Sequence, residues 1–295
     1  MNRAAFIVSK PIQILIALNL AEQIDALELV TLIIVDEFHG AEDVYNEFRD
    51  SSYFASKAEF EFVSTKSAAF KRIANSKIHS IFIDSDVGVR NYAALIFLKG
   101  LRGNLEINVF EEGIGTYRRD LYCGWKKFAL DSIGAGTHFG GASVTENIYV
   151  FDHSAYCDIF DKDSMKAKPI RGAVMDYLDK HSSELARVFS YRAPESSGAN
   201  NCHVYLSSWR FSQRFFIDFG SAPGDLFVKP HPHTRLVPEW VYGTIVSATV
   251  PSELVINDLS SKYSSVSVYH HGSSSEFYIR RNNVNFVKIF DAKNG

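Results

Sequence analysis

Residues 4–35 read AAFIVSKPIQILIALNLAEQIDALELVTLIIV, and this stretch decides the fold class. Ala4–Val8 and Leu29–Val35 are short runs rich in Ile, Val and Leu, bounded by polar residues, which is the pattern of strands buried on both faces. Between them Pro11–Ile24 carries apolar residues at closer to helical spacing. Pro11 suits a first helical turn, where its missing N–H costs nothing. Outward from this unit the alternation continues. Phe60–Val63, His79–Asp84 and Leu105–Phe110 read as strands, and Ala41–Arg49, Ser67–Ala74 and Val87–Leu98 as helices. Strand, helix, strand, helix implies a parallel sheet covered on both faces.

Tyr191–Asn201 breaks the pattern with Pro, Ser, Gly and Asn and no apolar period, so it reads as a linker. Beyond it the alternation restarts: His203–Leu206, Asp225–Val228, Thr244–Ser247 and Ser265–Tyr269 as strands, Phe211–Phe219 and Ser252–Leu259 as helices. The expectation is α/β, with two Rossmann-like domains of mainly parallel strands facing a central cleft: 1–190, a linker over 191–201, and 202–295. Ligands in such sheets bind at the carboxyl ends of the strands.

Composition narrows the function. With 295 residues and 46% hydrophobic content the chain has ample core material. A net charge of −3 without long single-sign runs disfavours a general nucleic-acid binder. Cys123, Cys157 and Cys202 are odd in number and widely spaced, which fits a reducing compartment rather than a disulfide framework or zinc site. Ala4–Val8 is interrupted by Ser9-Lys10-Pro11, a poor signal peptide, and no run reaches the length of a membrane span. A cytoplasmic protein is expected. Gly113-Ile114-Gly115 lacks the third glycine of a dinucleotide fingerprint, and no G-x-S-x-G elbow supports a serine hydrolase.

Four segments join a strand end to polar or glycine residues. Glu111-Glu112-Gly113 follows a strand and could aim a carboxylate inward as a general base, or simply form an acidic turn. In Lys229-Pro230-His231-Pro232-His233 the prolines stiffen a loop whose imidazole and lysine suit a phosphate or a departing oxyanion. Surface charge is the plainer account of Lys229, and two histidines without a third ligand make a poor metal site. His270-His271-Gly272-Ser273-Ser274-Ser275 opens a helical stretch with groups that bind anions or merely cap it. Pro251-Ser252-Glu253 offers either a first-turn acid or a partner for a ribose diol. Asp84-Ser85-Asp86 is a minor metal candidate that a nucleotide-diphosphate sugar transferase would use. Arg118, Arg119, Lys126 and Lys127, interleaved with Tyr117, Tyr122 and Trp125, suit an anionic saccharide or lipid-diphosphate acceptor at a membrane surface, or form a solvated amphipathic helix.

The order of these segments resembles bacterial GT-B sialyltransferases and polysialyltransferases, whose motifs are [D/E]-[D/E]-G, H-P and S or S-S. Here they stand as Glu111-Glu112-Gly113, His231-Pro232 and Ser273-Ser274-Ser275, with Pro251-Ser252-Glu253 like the family's Pro-x-Glu segment. Ser9-Lys10-Pro11-Ile12-Gln13 is similar to its first strand-to-helix loop. The resemblance implies Glu111 as general base with Glu112 and Gly113 shaping its surroundings. It implies His231 assisting departure of CMP, and Lys229, Pro232, Gly272 and Ser273–Ser275 at the donor phosphate. It assigns Glu253 to the ribose, and Ser9, Pro11 and Gln13 to an acceptor or donor loop. The implied activity is inverting, metal-independent transfer of sialic acid from CMP-sialic acid to a galactoside-type or lipid-linked saccharide. No cofactor and no nucleic acid are expected, and the work would be done in the cytoplasm, at the inner face of the bacterial inner membrane where the acceptor is lipid-linked. A Kdo transferase, a nucleotide-diphosphate-sugar transferase and a non-catalytic saccharide-binding protein remain alternatives.

Overall fold

The computed structural model describes residues 3–24, 27–195, 197–220 and 223–290. Two compact units form: Met1–Glu37 with Ala41–Ala173, and Phe38–Gly40 with Val174–Gly295. In the first, β1 (Arg3–Val8), β2 (Leu29–Val35), β3 (Glu59–Val63), β4 (Ser80–Ile83), β5 (Glu106–Phe110), β6 (Asn147–Val150) and β7 (Ala167–Pro169) build one sheet of order β3-β2-β1-β4-β5-β6-β7. Every neighbouring pair is parallel. In the second, β8 (Asn201–Leu206), β9 (Asp225–Lys229), β10 (Thr244–Ile245), β11 (Ser265–His270) and β12 (Val284–Lys288) give the order β10-β9-β8-β11-β12, again all parallel.

Both sheets therefore reverse their winding beside their first strand: between β1 and β4, and between β8 and β11. A crevice opens at the carboxyl ends of the strands at such a switch point, because successive loops leave toward opposite faces. The first strands are apolar on both sides for this reason. Ala4–Val8 and Leu32–Val35 are buried throughout, and Phe6 stacks on Phe82 of the adjacent strand with ring centroids 4.3 Å apart. The helix Pro11–Gln23 is buried along most of its length, in keeping with its nearly uninterrupted apolar sequence, and Pro11 occupies its first turn.

The expected strands and helices recur within a few residues of their sequence-derived limits. Three strands were not legible: β6 and β7 are four and three residues long, and β12 alternates without a fully buried position. The expected division at 190/191 moves to 173/174. The amphipathic helix Val174–Val188 turns its buried face, including Leu178 and Leu185, into the second unit. There Asp179 Oδ1 accepts hydrogen bonds from Asn257 and Arg281. Tyr191–Asn201 is a linker in composition, but it joins that helix to β8 inside one unit.

A buried aspartate fixes the loop that carries the chain toward β6. Asp86 is fully enclosed, and its carboxylate accepts from the Gly140 N–H at 2.9 Å, the Ala142 N–H at 3.0 Å and the Thr145 hydroxyl at 2.7 Å. Burial raises its pKa, and these three donors oppose the rise. Gly140 is held at φ 79° against the Ile148 side chain, where a Cβ would come within 2.8 Å of it. Replacing Asp86 with alanine would leave three donors buried without an acceptor, at roughly 1–3 kcal/mol for each group not rescued by water. Asp86→Ala is expected to lower unfolding stability by about 3 kcal/mol in urea titration, with Asp86→Asn intermediate; an unchanged midpoint would refute this role.

Candidate active site

Each unit gathers its polar side chains at the carboxyl ends of its strands. In the first, the loop after β1 turns on Gln13, whose Oε1 accepts the Ser9 N–H at 2.7 Å. The Gln13 amide donates to Asp84 Oδ2 at 3.1 Å, joining the loops after β1 and β4 across the switch point. Ser9 Oγ also reaches Asp84 Oδ2 at 3.4 Å, and Lys66 Nζ lies 2.9 Å from both Asp84 oxygens. Lys10 pairs with Glu112. Burial lowers the Lys10 pKa, with the negative charge of Asp84 as the main opposing influence. Pro11 serves the helix start, not this cluster. In the sequence Asp84 stood out only as half of a minor metal candidate, Lys10 only within the Ser9–Gln13 loop, and Lys66 not at all; the signal available was their position at successive strand ends.

The acidic pair after β5 divides into unlike halves. Glu111 is fully enclosed, and its Oε2 accepts the Tyr117 hydroxyl at 2.6 Å and the Phe151 N–H at 2.7 Å. Burial raises the Tyr117 pKa well above its usual value, and the neighbouring Glu111 charge adds to the rise. The Glu112 side chain is 22% exposed. Gly113 follows at φ 115°, a left-handed conformation that glycine adopts without strain, and the Glu112 N–H donates to Thr116 Oγ1 at 3.1 Å. Successive side chains leaving a strand point to opposite sides, so the two carboxylates face different surroundings before Gly113 turns the chain.

Asp84 and Asp86 do not form a shared metal-binding pair: Asp86 is engaged by loop amides, and Asp84 by Lys66 and Gln13. Among the described residues no group of three or more His, Cys, Asp or Glu side chains is placed to hold a metal ion.

In the second unit the loops after β9, β8 and β11 stand side by side. The His231 N–H donates to Ser207 Oγ at 2.8 Å, tying the His-Pro loop to the end of β8. The His233 N–H donates to His231 Nδ1 at 3.3 Å, so in the neutral ring the proton sits on Nε2. Trp209, from the loop after β8 and 73% exposed, stacks on His231 with centroids 5.3 Å apart and tilts over His233 at 4.9 Å. It too went unremarked in the sequence, although it follows a strand end. The Pro232 carbonyl accepts the His39 N–H at 2.9 Å, His39 belonging to this same unit.

Lys229 is neither a surface charge nor open to a ligand. It is buried, and Nζ donates to the Pro230 carbonyl at 2.7 Å and the Ala248 carbonyl at 3.1 Å. Burial lowers its pKa to about 7, against the opposing pull of the Glu253 charge. Lys229 therefore braces the His-Pro loop from behind. Glu253 is also buried, which raises its pKa. It accepts from the Ser275 hydroxyl at 2.8 Å and the Ser252 hydroxyl at 3.3 Å. Ser275 Oγ lies 2.9 Å from Ser252 Oγ and 3.0 Å from Ser273 Oγ, so the glutamate organises a cluster of hydroxyls.

The serine loop departs from its sequence reading in one respect. The Gly272 and Ser273 amides do not point outward; both donate to Nδ1 of the buried His270, at 3.2 and 2.9 Å. That leaves the His270 proton on Nε2, 3.5 Å from Glu276 Oε2. Burial lowers the His270 pKa, which matches a neutral ring accepting two amides. His270 packs in the interior and also shapes the loop. The groups offered outward are the half-buried Ser273 and Ser274.

No protein-family model matches this chain, and no curated protein sequence does. Solved structures do match. An α/β-galactoside α-2,3-sialyltransferase from the luminous marine bacterium Photobacterium phosphoreum superposes with a TM-score of 0.59 at 12% identity, over 99% of this chain and 92% of that one. S. aureus MnaA, solved with UDP, gives 0.50 at 10% identity over 93% and 75%. The wall teichoic acid polymerase TagF gives 0.50 at 9% identity over 94% and 67%. At such identities the likeness concerns the fold, and with two parallel Rossmann-like sheets that fold is GT-B.

Proposed function

We propose that this chain is a nucleotide-sugar-dependent glycosyltransferase. More narrowly, it transfers N-acetylneuraminic acid or a related nonulosonic acid from a CMP-activated donor to a sugar hydroxyl, with inversion and without a metal ion. One observation carries the reading. His231 and the Ser273–Ser275 loop end strands on either side of β8, and the serine loop adjoins the switch point of the second sheet. Imidazole and hydroxyls in that arrangement suit a single phosphate. The fold shared with a sialyltransferase over nearly the full length of both chains supports it.

In such a transfer the bond from the anomeric carbon to the phosphate oxygen breaks, charge gathers on CMP, and the attacking hydroxyl loses its proton. His231, with its Nε2 proton, donates to the departing phosphate, and Trp209 holds the ring plane. Ser273 and Ser274 meet the same phosphate, while Glu253 orients the hydroxyl cluster through Ser275 instead of meeting the ribose. Such preorganised donors stabilise developing charge without reorganisation. A monophosphate leaving group carries less charge than a diphosphate, so a metal clamp is not required.

The transfer also needs a general base for that proton. The sequence reading favoured Glu111, but that side chain is enclosed and engaged by Tyr117 and the Phe151 amide. Glu112 is partly exposed and pairs with Lys10. We assign the base role to Glu112 and a positioning role to Glu111.

Acceptor-dependent CMP release from CMP-N-acetylneuraminic acid separates the two. Glu112→Gln is expected to lower kcat by about 10²–10⁴-fold with donor binding unchanged by calorimetry. Glu111→Gln is expected to lower the unfolding temperature and to spare kcat in proportion. The reverse pattern would return the base to Glu111.

His231→Ala is expected to lower kcat by about 10²–10³-fold, in EDTA as in buffer. A donor panel with CMP-Kdo and nucleotide-diphosphate sugars tests the finer assignment. Release from one of those alone would move the donor class, and no CMP binding together with no release from any donor would sink the reading.

A further inference from the structure

Two neighbouring helices of the first unit turn apolar faces to solvent. On Val89–Leu101 the exposed positions include Val89, Ala93, Ile96, Phe97 and Leu101, which recur at helical spacing along one face. Phe97 is 68% exposed. The opposite face, with Leu95 and Leu98, packs in the core. On Gly124–Ser132 only Leu130 is buried, while Trp125 and Phe128 are 78% and 76% exposed, and Ile133 continues their face.

The two helices are pinned together at one end. The Gly88 N–H donates to the Gly136 carbonyl at 3.0 Å, and the Tyr122 hydroxyl lies 2.9 Å from where a Cβ on Gly88 would stand. Tyr92 bonds to Ser143 at 2.9 Å and closes on Gly134. Both ends of the second helix are thus tied to the first turn of the other.

Charge indicates what covers this face. The chain as a whole is acidic, at −3, yet residues 87–102 contain Arg90, Lys99 and Arg102 and no acidic residue, although Lys99 pairs with Glu146. The helix Gly124–Ser132 carries Lys126 and Lys127 and one acid, Asp131, whose Oδ1 accepts the Thr137 hydroxyl at 2.9 Å. Arg90, Lys126 and Lys127 form no ion pair among the described residues. By contrast Arg118 pairs with Asp120, Arg119 donates to the Asp158 carbonyl, and Tyr117 is engaged by Glu111. The basic-aromatic segment seen in the sequence therefore contributes only its second half, and the stripe on Val89–Leu101 completes it. Protruding Trp and Phe interleaved with lysine, beside an aliphatic helix face, is the composition of an interfacial surface. A second copy docked through this same face would set the cations against their own counterparts, whereas anionic lipid headgroups answer them.

We infer that this face seats the protein on an anionic phospholipid bilayer, with the aromatic and aliphatic side chains in the headgroup boundary and Arg90, Lys126 and Lys127 among the phosphates. The inference does not depend on the glycosyltransferase reading, since it is read without donor or acceptor. Sedimentation of the full chain with vesicles of phosphatidylcholine, with and without phosphatidylglycerol, tests it. Binding is expected only to the anionic vesicles, weakening at high salt, with a blue shift of tryptophan emission that Trp125→Phe removes. Lys126→Glu/Lys127→Glu and Phe97→Ser/Phe128→Ser, at exposed positions, are each expected to lower the partition coefficient by about tenfold or more with unchanged unfolding temperature. Absence of binding to anionic vesicles, or binding indifferent to both pairs, would overturn the inference. So would a dimer in vesicle-free solution that the same substitutions dissociate, which would make the occupant a second copy.

Discussion

Every strand pairing in both sheets is parallel, and that single constraint governs where this protein can place polar chemistry. Parallel neighbours force each connection back across a face of the sheet, so both faces are covered and the strand interiors become apolar. Polar side chains are left with the strand ends. At the carboxyl ends the loops fan apart where the winding reverses, and there the chain has put Ser9, Gln13 and Asp84 in one unit and the Ser207 and His270–Ser275 loops in the other. Each cluster is a consequence of the topology before it is a choice of residues.

Within each unit the polar groups at these ends fall into two sets. An enclosed set, Glu111, Lys229, Glu253 and His270, bonds to amides, carbonyls and hydroxyls of the loops. A part-exposed set comprises Glu112 in the first unit and His231, Ser273 and Ser274 in the second. Burying an ionisable group is costly unless hydrogen bonds answer it, and those bonds are directional. The expense is tolerable because it yields loops with one conformation. Lys229 shows the logic: a lysine on a surface loop would not hold Pro230 and Ala248 together, whereas one whose burial brings its pKa to about 7 can donate to both carbonyls with little isolated charge.

The long apolar runs made the fold legible. Ala4–Val8 and Leu29–Val35 can hardly be anything but buried strands, and the helix between them follows from Pro11 and its spacing. Strands β6 and β7 escaped because three or four residues carry too little periodicity, and β6 is held by its pairing with both β5 and β7. The domain division failed for a related reason: loop composition at 191–201 says where helix and strand stop, not which core a helix joins. At the site, motif positions were legible and roles were not. Adjacent glutamates look equivalent in sequence; only the burial of Glu111 and the donors around it distinguish them. Likewise no local pattern shows that the amides of Gly272 and Ser273 turn inward to His270.

The apolar stripe on Val89–Leu101 illustrates a general limit on reading helices. Its pattern resembles that of a helix buried on every side, and from sequence the natural inference is a core element between two layers. The tertiary arrangement covers one face with the sheet and leaves the other bare, so the second stripe demands a separate cause. Isolated exposed apolar residues need none, since much of any protein surface is apolar. A row of them at helical spacing, beside a second helix with Trp125 and Phe128 protruding and with Arg90, Lys126 and Lys127 outside any ion pair among the described residues, is a different case. Cation placement carries that argument, because hydrophobic exposure alone would fit a partner protein equally well.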